Sequence, residues 1–411
     1  MTVAVIGAGI IGSAIALELQ RRGVETVLIE ADEPGMGASF GNVASIAVTE
    51  FMPASRPSVW RHMPGWMMDP EGPVRIRPNY FIKALPWLLR FAAAGLPSRV
   101  AALEAAGAAL CKRVHEDLGA LLKASNQENM LTETGCLCLY ANDAEMRADR
   151  EHLQSLDRHG LRYQHLSGKE LRGLEPAISP SIARAILFPD NRSVKSPYNL
   201  VMGYVKAFEK AGGKREKGRV VGFAREGNRI SGAQLEDGRR ISATQTVVAC
   251  GARSHLLSKL LGDVMPLETE RGYHTQIMSS GVSLSHSIIW PAKAFMVTPT
   301  AGGLRVGGTV EFAGLNAAPD YRRAAITVKR AKEALPHLQD KDSKQWMGHR
   351  PSFPDTVPVI GPSPTVQGVF YATGHGHLGL TLSATTARLI GDLVTGAKPV
   401  LDLAPYRANR F

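Results

Sequence analysis

The chain has 411 residues, 44% of them hydrophobic, with 48 Lys and Arg against 37 Asp and Glu for a formal net charge of +11. That length accommodates two structural units around a sizeable core, and the apolar content fits a soluble globular protein. The basic residues are scattered, with no dense Lys/Arg block and no basic stripe interleaved with aromatics, which argues against a nucleic-acid partner and leaves solubility and attraction of anionic small molecules.

Residues 3–12, Val-Ala-Val-Ile-Gly-Ala-Gly-Ile-Ile-Gly, join a short buried-strand pattern to a Gly-x-Gly-x-x-Gly turn, and Glu30 closes the next apolar run, Thr26 to Ile29. This is the arrangement of a dinucleotide site. Gly7 permits the tight turn, Gly9 lets the backbone approach a pyrophosphate, and Gly12 lets the following helix pack closely on the strand. The first helical turn, with Ile11, presents free N–H groups and a positive dipole end to the phosphates. Glu30 is placed to accept hydrogen bonds from a ribose and disfavours a 2′-phosphate. The motif by itself leaves FAD and NAD both open. Met1 runs directly into this strand with no basic segment and no cleavage site, so the expected location is cytoplasmic.

Residues 80–97 are apolar, aromatic and free of acidic side chains, but Lys83, Pro86 and Arg90 interrupt them. The stretch is too broken to span a bilayer. Burial against the core is the favoured expectation; the alternative is an interfacial helix with Trp87 at headgroup level. Leu103, Leu110, Val114, Leu118 and Leu121 give one amphipathic helix over 98–124. A strand follows at Cys136 to Tyr140, then a polar helix near 143–159. The four cysteines, Cys111, Cys136, Cys138 and Cys250, have no metal-ligand spacing and read as buried free thiols; no metal site is expected.

Ser196-Pro197 starts a further helix and Gly212-Gly213 ends it. Short β runs at Arg219 to Phe223, Arg229 to Leu235 and Arg240 to Ile241 form a meander leading into the buried strand Thr246 to Cys250. More strands are expected at Tyr273 to Met278, Ala294 to Thr298 and Leu304 to Val310, then a helix near 320–335. The strand Gly368 to Thr373, a glycine-histidine loop at 374–379 and a helix from Leu380 to Thr395 return to dinucleotide-fold character. The nucleotide unit is therefore built from three separated pieces.

Five ordered segments carry a family resemblance: the N-terminal glycines with Glu30; residues 37–43, Gly-Ala-Ser-Phe-Gly-Asn-Val; residues 247–252, Val-Val-Ala-Cys-Gly-Ala; residues 348–361, Gly-His-Arg-Pro-Ser-Phe-Pro-Asp-Thr-Val-Pro-Val-Ile-Gly; and residues 373–381, Thr-Gly-His-Gly-His-Leu-Gly-Leu-Thr. Over almost its whole length the chain resembles the D-amino-acid oxidase superfamily, most closely bacterial D-amino-acid dehydrogenases and their hydroxyproline-oxidising relatives. The resemblance implies a mixed α/β and α+β fold. A Rossmann-like FAD-binding domain of glutathione-reductase type would comprise 1–50, 191–262 and 346–411. An inserted β-rich substrate domain would comprise 51–190 and 263–345.

The cofactor contacts expected beyond the N-terminal motif are Ser39 and Asn42 in a small-residue loop, Val220 at the adenine, and Gly251 and Ala252 after a strand end. In the last loop they are Gly374, His375, Gly376, Leu378, Gly379, Leu380 and Thr381, whose backbone donors would face the flavin pyrimidine. Arg350 matches the family's carboxylate-gripping arginine, since a guanidinium fork fits a carboxylate bidentately. Tyr273 and His274 are further substrate candidates, and His375 and His377 would support the loop. With no cysteine in the Arg350 segment and no histidine in the Ser39 to Asn42 loop, FAD is expected to be non-covalent.

The implied reaction is oxidation of a D-amino acid or cyclic D-imino acid. Arg350 would point the Cα hydrogen at flavin N5 for hydride transfer, and no strong side-chain base is required. Oxygen, a membrane quinone or a partner subunit would reoxidise the flavin, and peripheral association with the inner face of a membrane is compatible with residues 80–97. The alternatives are a glycine or sarcosine type of amine oxidase or demethylating dehydrogenase, a flavin-binding electron-transfer subunit, and an NAD-dependent dehydrogenase.

Overall fold

The computed structural model describes the backbone of all 411 residues and the side chains of all but residues 61, 62, 64, 67 and 68. Its first sheet has six strands in the order Lys214–Lys217, Glu25–Glu30, Thr2–Ile6, Gln245–Val248, Val369–Thr373, Val359–Pro362. The first five run parallel and the last is antiparallel. Central parallel strands are covered on both faces, so they read as continuous apolar runs. Val3, Ala4, Val5, Val247, Val248 and Val369 are accordingly fully buried.

The strand period of two divides these residues between two layers. Val3, Val5, Leu28 and Val247 pack against the helices Ile10–Arg21, Pro197–Lys210 and Ser383–Thr395. Ala4, Ile6, Val27, Ile29 and Val248 pack on the opposite side against a three-stranded meander, Val220–Glu226, Arg229–Leu235 and Arg240–Ser242. The helix start expected at Ser196 is present, with the Ser196 hydroxyl accepting the Asn199 N–H.

A nine-stranded mixed sheet forms the second body. Ser343–Ser352, Glu268–Ile277, Gly303–Phe312, Phe295–Thr300, Ser287–Trp290, Cys136–Tyr140, Arg184–Phe188 and Gln164–Ser167 lie side by side, and Val74–Ile76 adds to Gly303–Phe312. The strand Ser343–Ser352 crosses the expected boundary at 346. It pairs along its whole length with Glu268–Ile277, from Glu268 opposite Ser352 to Ile277 opposite Ser343. Arg350 therefore stands on this large sheet.

Three expectations change in detail. The helix expected over 98–124 is two helices, Pro97–Cys111 and Val114–Ser125, broken at Lys112-Arg113. The turn lets Leu110 and Val114 both bury completely, while Arg113 folds forward onto Asp117. The polar helix over 143–159 likewise breaks at Asp149, whose carboxylate accepts the Tyr140 hydroxyl. Residues 80–97 are neither simply buried nor simply interfacial. The helix Phe81–Ala94 buries Ala84, Trp87 and Ala94, with Trp87 against Phe312, and exposes Phe81, Ile82, Leu85 and Leu89 on its outer side. Among the described residues no helix is long and apolar enough to cross a membrane.

Candidate functional site

Three neighbouring parallel strands end at one edge of the six-stranded sheet, and each is followed by a glycine with positive φ: Gly7 at 103°, Gly251 at 55° and Gly374 at 81°. Only glycine enters that region without strain. This edge is the carboxyl end of the parallel strands, where open α/β sheets bind ligands. Gly12 fits its expected role, because a β-carbon there would overlap the Gly7 carbonyl oxygen. A β-carbon on Gly9 would come 3.2 Å from Ser39 Oγ, so the loop and the helix start lie in near contact. Ala252 is buried just beyond Gly251.

Ser39 Oγ accepts the Ile10 N–H at 2.8 Å, and the first-turn N–H groups of Ile11 and Gly12 follow at the open helix end. Glu30 lies beside the glycine turn. One carboxylate oxygen accepts the Ala8 N–H at 2.6 Å and the other the Asp32 N–H at 3.1 Å, which fixes the side chain and leaves acceptor lone pairs for a diol. Val220 begins the meander just past Gly218, whose N–H reaches the Glu30 carbonyl. Asn42 also has a local role. Its amide donates to the Ser39 carbonyl and its oxygen accepts the Ala44 N–H, so the side chain shapes the loop and keeps a free donor and lone pair.

In the C-terminal loop the backbone N–H groups of Gly379, Leu380 and Thr381 have no partner among the described residues, although Leu380 and Thr381 are buried. Buried N–H groups are almost always paired. Such a run just before the helix Ser383–Thr395 is a set of donors fitted to a carbonyl or anionic edge. The residues present thus suit FAD at both of its ends. Gly376 and Leu378 make the short turn that leads into this run, and the His375 ring is tied to the Thr386 hydroxyl at 2.9 Å. Burial holds His375 neutral, its pKa down at about 3. Its role is therefore to hold the loop.

A second surface, from the large sheet, adjoins this edge. Residues directly opposite across an antiparallel pair share a face. Here the rows are Glu270 with Arg350, Gly272 with Gly348, and His274 with Trp346. The two glycines form a floor: the Arg350 guanidinium folds over Gly272 and the Trp346 indole over Gly348. Trp346 also lies against Gly41 and is stacked on His274 with ring centroids 5.3 Å apart, which joins this wall to the cofactor loop.

Arg350 donates to the Thr309 carbonyl at 3.3 Å and has no carboxylate within 4.0 Å among the described residues. Burial lowers its pKa, opposed by the charge of Glu270. Arg350 and Glu270 remain half-exposed and His377 exposed, yet burial dominates the shift of all three. Arg350 and Glu270 share one face of the paired strands.

Two expected substrate residues do not meet this surface as free groups. Tyr273 points to the other side of its strand, where its hydroxyl donates to Glu311 at 2.6 Å and accepts the Asp320 N–H. The same Glu311 carboxylate takes Arg77 and Arg271, and Arg271 also reaches the carbonyls of Gly314, Ala317 and Ala318. Tyr273 is thus part of a clamp on the 313–320 loop. His274 faces the right side, but its Nδ1 is bonded to the Gly41 carbonyl at 2.8 Å. Burial and the neighbouring Arg305 push its pKa down to about 3, so it stays a neutral support for the cofactor loop. Glu270 and Trp346 were missed in the sequence; the only local signal was the glycine two residues from each.

The family model described as FAD dependent oxidoreductase (DAO) matches residues 2–393. A D-amino-acid oxidase of Bradyrhizobium diazoefficiens is 34% identical over 416 residues, covering 100% of this chain and 98% of that protein. A D-amino acid dehydrogenase of Paramagnetospirillum magneticum is 29% identical, covering 100% and 99%. Among solved structures, glycine oxidase from Geobacillus kaustophilus superposes with a TM-score of 0.79 at 20% identity, covering 100% of this chain and 98% of that one. L-proline dehydrogenase from P. horikoshii gives 0.74 at 19%, covering 100% and 97%. These likenesses show the fold.

Proposed function

This chain belongs to the FAD-dependent oxidoreductases of the D-amino-acid oxidase family, and from that premise we propose that it oxidises a D-amino acid, or a cyclic D-imino acid such as D-proline or cis-4-hydroxy-D-proline, at Cα. The observation that carries this reading is Arg350: a partly buried guanidinium with one long bond to a backbone carbonyl and no carboxylate partner among the described residues. Leaving such a group without an anion is costly, and a substrate carboxylate meets its fork bidentately. FAD, when bound, supplies a two-electron acceptor.

The chain's residues do the rest by positioning. Arg350 fixes the carboxylate, Gly272 gives the guanidinium room to lie flat, and Trp346 adds an apolar wall on the same face. The unpaired N–H groups of Gly379 to Thr381 lie where negative charge on the cofactor would be stabilised. The names of the D-amino-acid oxidase and dehydrogenase relatives support the D configuration. We assign the electron acceptor to a membrane surface or partner subunit. The exposed stripe Phe81, Ile82, Leu85 and Leu89 supports this, as does the absence of any acidic residue between Gly72 and Leu103.

Anaerobic titration of the purified yellow protein with D- and L-amino acids, D-proline, cis-4-hydroxy-D-proline and sarcosine tests the reading. Bleaching of the flavin band by D-amino or D-imino acids is expected. Bleaching by sarcosine or glycine alone replaces it with an amine oxidase, and no bleaching by any of them replaces it with an electron-transfer subunit.

A further inference from the structure

We propose that Glu270 receives the amino group of the substrate whose carboxylate Arg350 holds, and takes from its ammonium the proton that must leave before oxidation. The inference rests on the amino-acid reading above and concerns a residue that reading does not use.

An amino acid presents a negative and a positive group on neighbouring atoms. The site presents their complements on neighbouring strands. Glu270 and Arg350 are directly opposite each other and share a face, which places their β-carbons about 4.5–5.5 Å apart. Opposite charges at that spacing ordinarily pair. Here they do not come within 4.0 Å, because the guanidinium lies over Gly272, one row further along the face, instead of over Glu270. The carboxylate and the guanidinium therefore stand on one face of the paired strands with no ion pair between them.

The groups that face Glu270 are few. Burial raises its pKa most, Arg350 and Ser352 lower it, and Glu268 raises it. Glu268 is already engaged by the Tyr80 hydroxyl at 2.9 Å and the Thr269 N–H at 2.7 Å. Beyond their own burial, His377 and His274 are also held down by the charge of Arg350. Glu270 is thus a carboxylate with acceptor capacity to spare, beside the carboxylate-binding arginine. A carboxylate whose pKa is raised by burial is suited to accept a proton near neutral pH.

The step balances simply. One proton passes from the substrate nitrogen to a Glu270 oxygen, and the nitrogen keeps its lone pair. The Cα hydrogen then leaves with its electron pair to FAD, the substrate is oxidised to the protonated iminium, and the Glu270 proton is released with product.

The test is Glu270→Gln, which keeps the shape and removes both charge and proton affinity. In the holoenzyme, binding of a D-amino acid and of the matching 2-hydroxy acid is followed by perturbation of the flavin spectrum, and anaerobic reduction is followed against pH. The expected result is at least a tenfold loss of amino-acid affinity with hydroxy-acid affinity kept within twofold. The acidic limb of the reduction profile should move to the titration of the free substrate amine. Equal losses for both ligands, or an unmoved limb, overturn the proposal. If the Gln variant fails to hold FAD, Glu270→Asp decides: weaker amino-acid binding with the acidic limb retained supports it, and an unchanged ligand preference overturns it. Wild-type protein bleached by no amino or imino acid breaks the underlying substrate reading; bleached wild type with an unaltered Gln variant breaks only the role of Glu270.

Discussion

Gly272 and Gly348 face each other in register across two antiparallel strands, and a β-carbon on either would occupy space taken by a side chain of the site. On Gly272 it would meet the Arg350 guanidinium, and on Gly348 the Trp346 indole. Neither glycine has a positive φ, so both are there for room and not for backbone freedom.

Gly272→Ala is therefore expected to act through Arg350. The added methyl displaces the guanidinium, so KM for the amino acid rises at least tenfold, about 1.4 kcal/mol, while FAD content stays near that of the parent. Arg350→Ala should do the same more strongly. The double variant should be no worse than Arg350→Ala alone, because both changes remove one interaction. Steady-state kinetics on the three proteins checks this, and additive losses would dissociate Gly272 from Arg350.

At the other end of the site, Gly9→Val fills the approach to the helix N-terminus. Gly9 has an ordinary extended conformation, φ −70°, and its β-carbon meets only Ser39 Oγ at 3.2 Å. The chain should fold, with unchanged far-ultraviolet circular dichroism, and purify with little FAD. A normal flavin content would remove the N-terminal turn from the cofactor site.

The His152 cluster predicts a pH dependence of stability. Burial lowers the pKa of His152, but the Asp149 carboxylate, Glu50 and the Thr49 carbonyl outweigh it and raise the value to about 9 from 6.5. Nε2 donates to the Thr49 carbonyl at 3.0 Å, and Nδ1 faces Asp149 at 3.5 Å. A folded-state pKa above the unfolded one adds stability that is complete below pH 6.5 and is lost as pH rises through 9. The full amount is at most about 3 kcal/mol. Denaturant unfolding at pH 6 and pH 9.5 should show that loss in the parent, and His152→Gln should show far less of it.

The outer side of the helix Phe81–Ala94 gives a fourth prediction. Lys83 and Arg90 are exposed beside Ile82, Leu85 and Leu89, so this face combines apolar contact with attraction to anionic headgroups. Flotation with vesicles containing anionic phospholipid should carry the protein up at low salt, and Leu89→Glu should reduce the floated fraction severalfold without changing FAD content. Equal flotation of the two proteins would exclude this face.

The cofactor half of the site was legible because its determinants are local. The turn at Gly7, the helix start at Ile10 and the carboxylate at Glu30 all fall within one strand-helix-strand unit, and the later loops repeat the device of a strand followed by a glycine of positive φ. Even there, Asn42 also shapes its own loop through Ser39 and Ala44, which the sequence did not show. Around the proposed substrate side the sequence singled out Arg350 but not the residues opposite it. Alternation along Glu268–Ile277 sends Arg271 and Tyr273 to one face and Glu270, Gly272 and His274 to the other. Nothing in the segment says which face meets the cofactor.

Sequence by itself determined the elements of the nucleotide fold and its glycine turn, because each depends on residues within a few positions of one another, whereas Arg350 was singled out by the family resemblance of residues 348–361. Only the tertiary structure decided the register that sets Glu270 opposite Arg350 and Gly272 opposite Gly348, the face on which Tyr273 is buried, and the exposure of the helix Phe81–Ala94. These follow from pairing between strands some eighty residues apart and from packing between two sheets. A one-residue shift in that pairing would exchange every side chain between pocket and core.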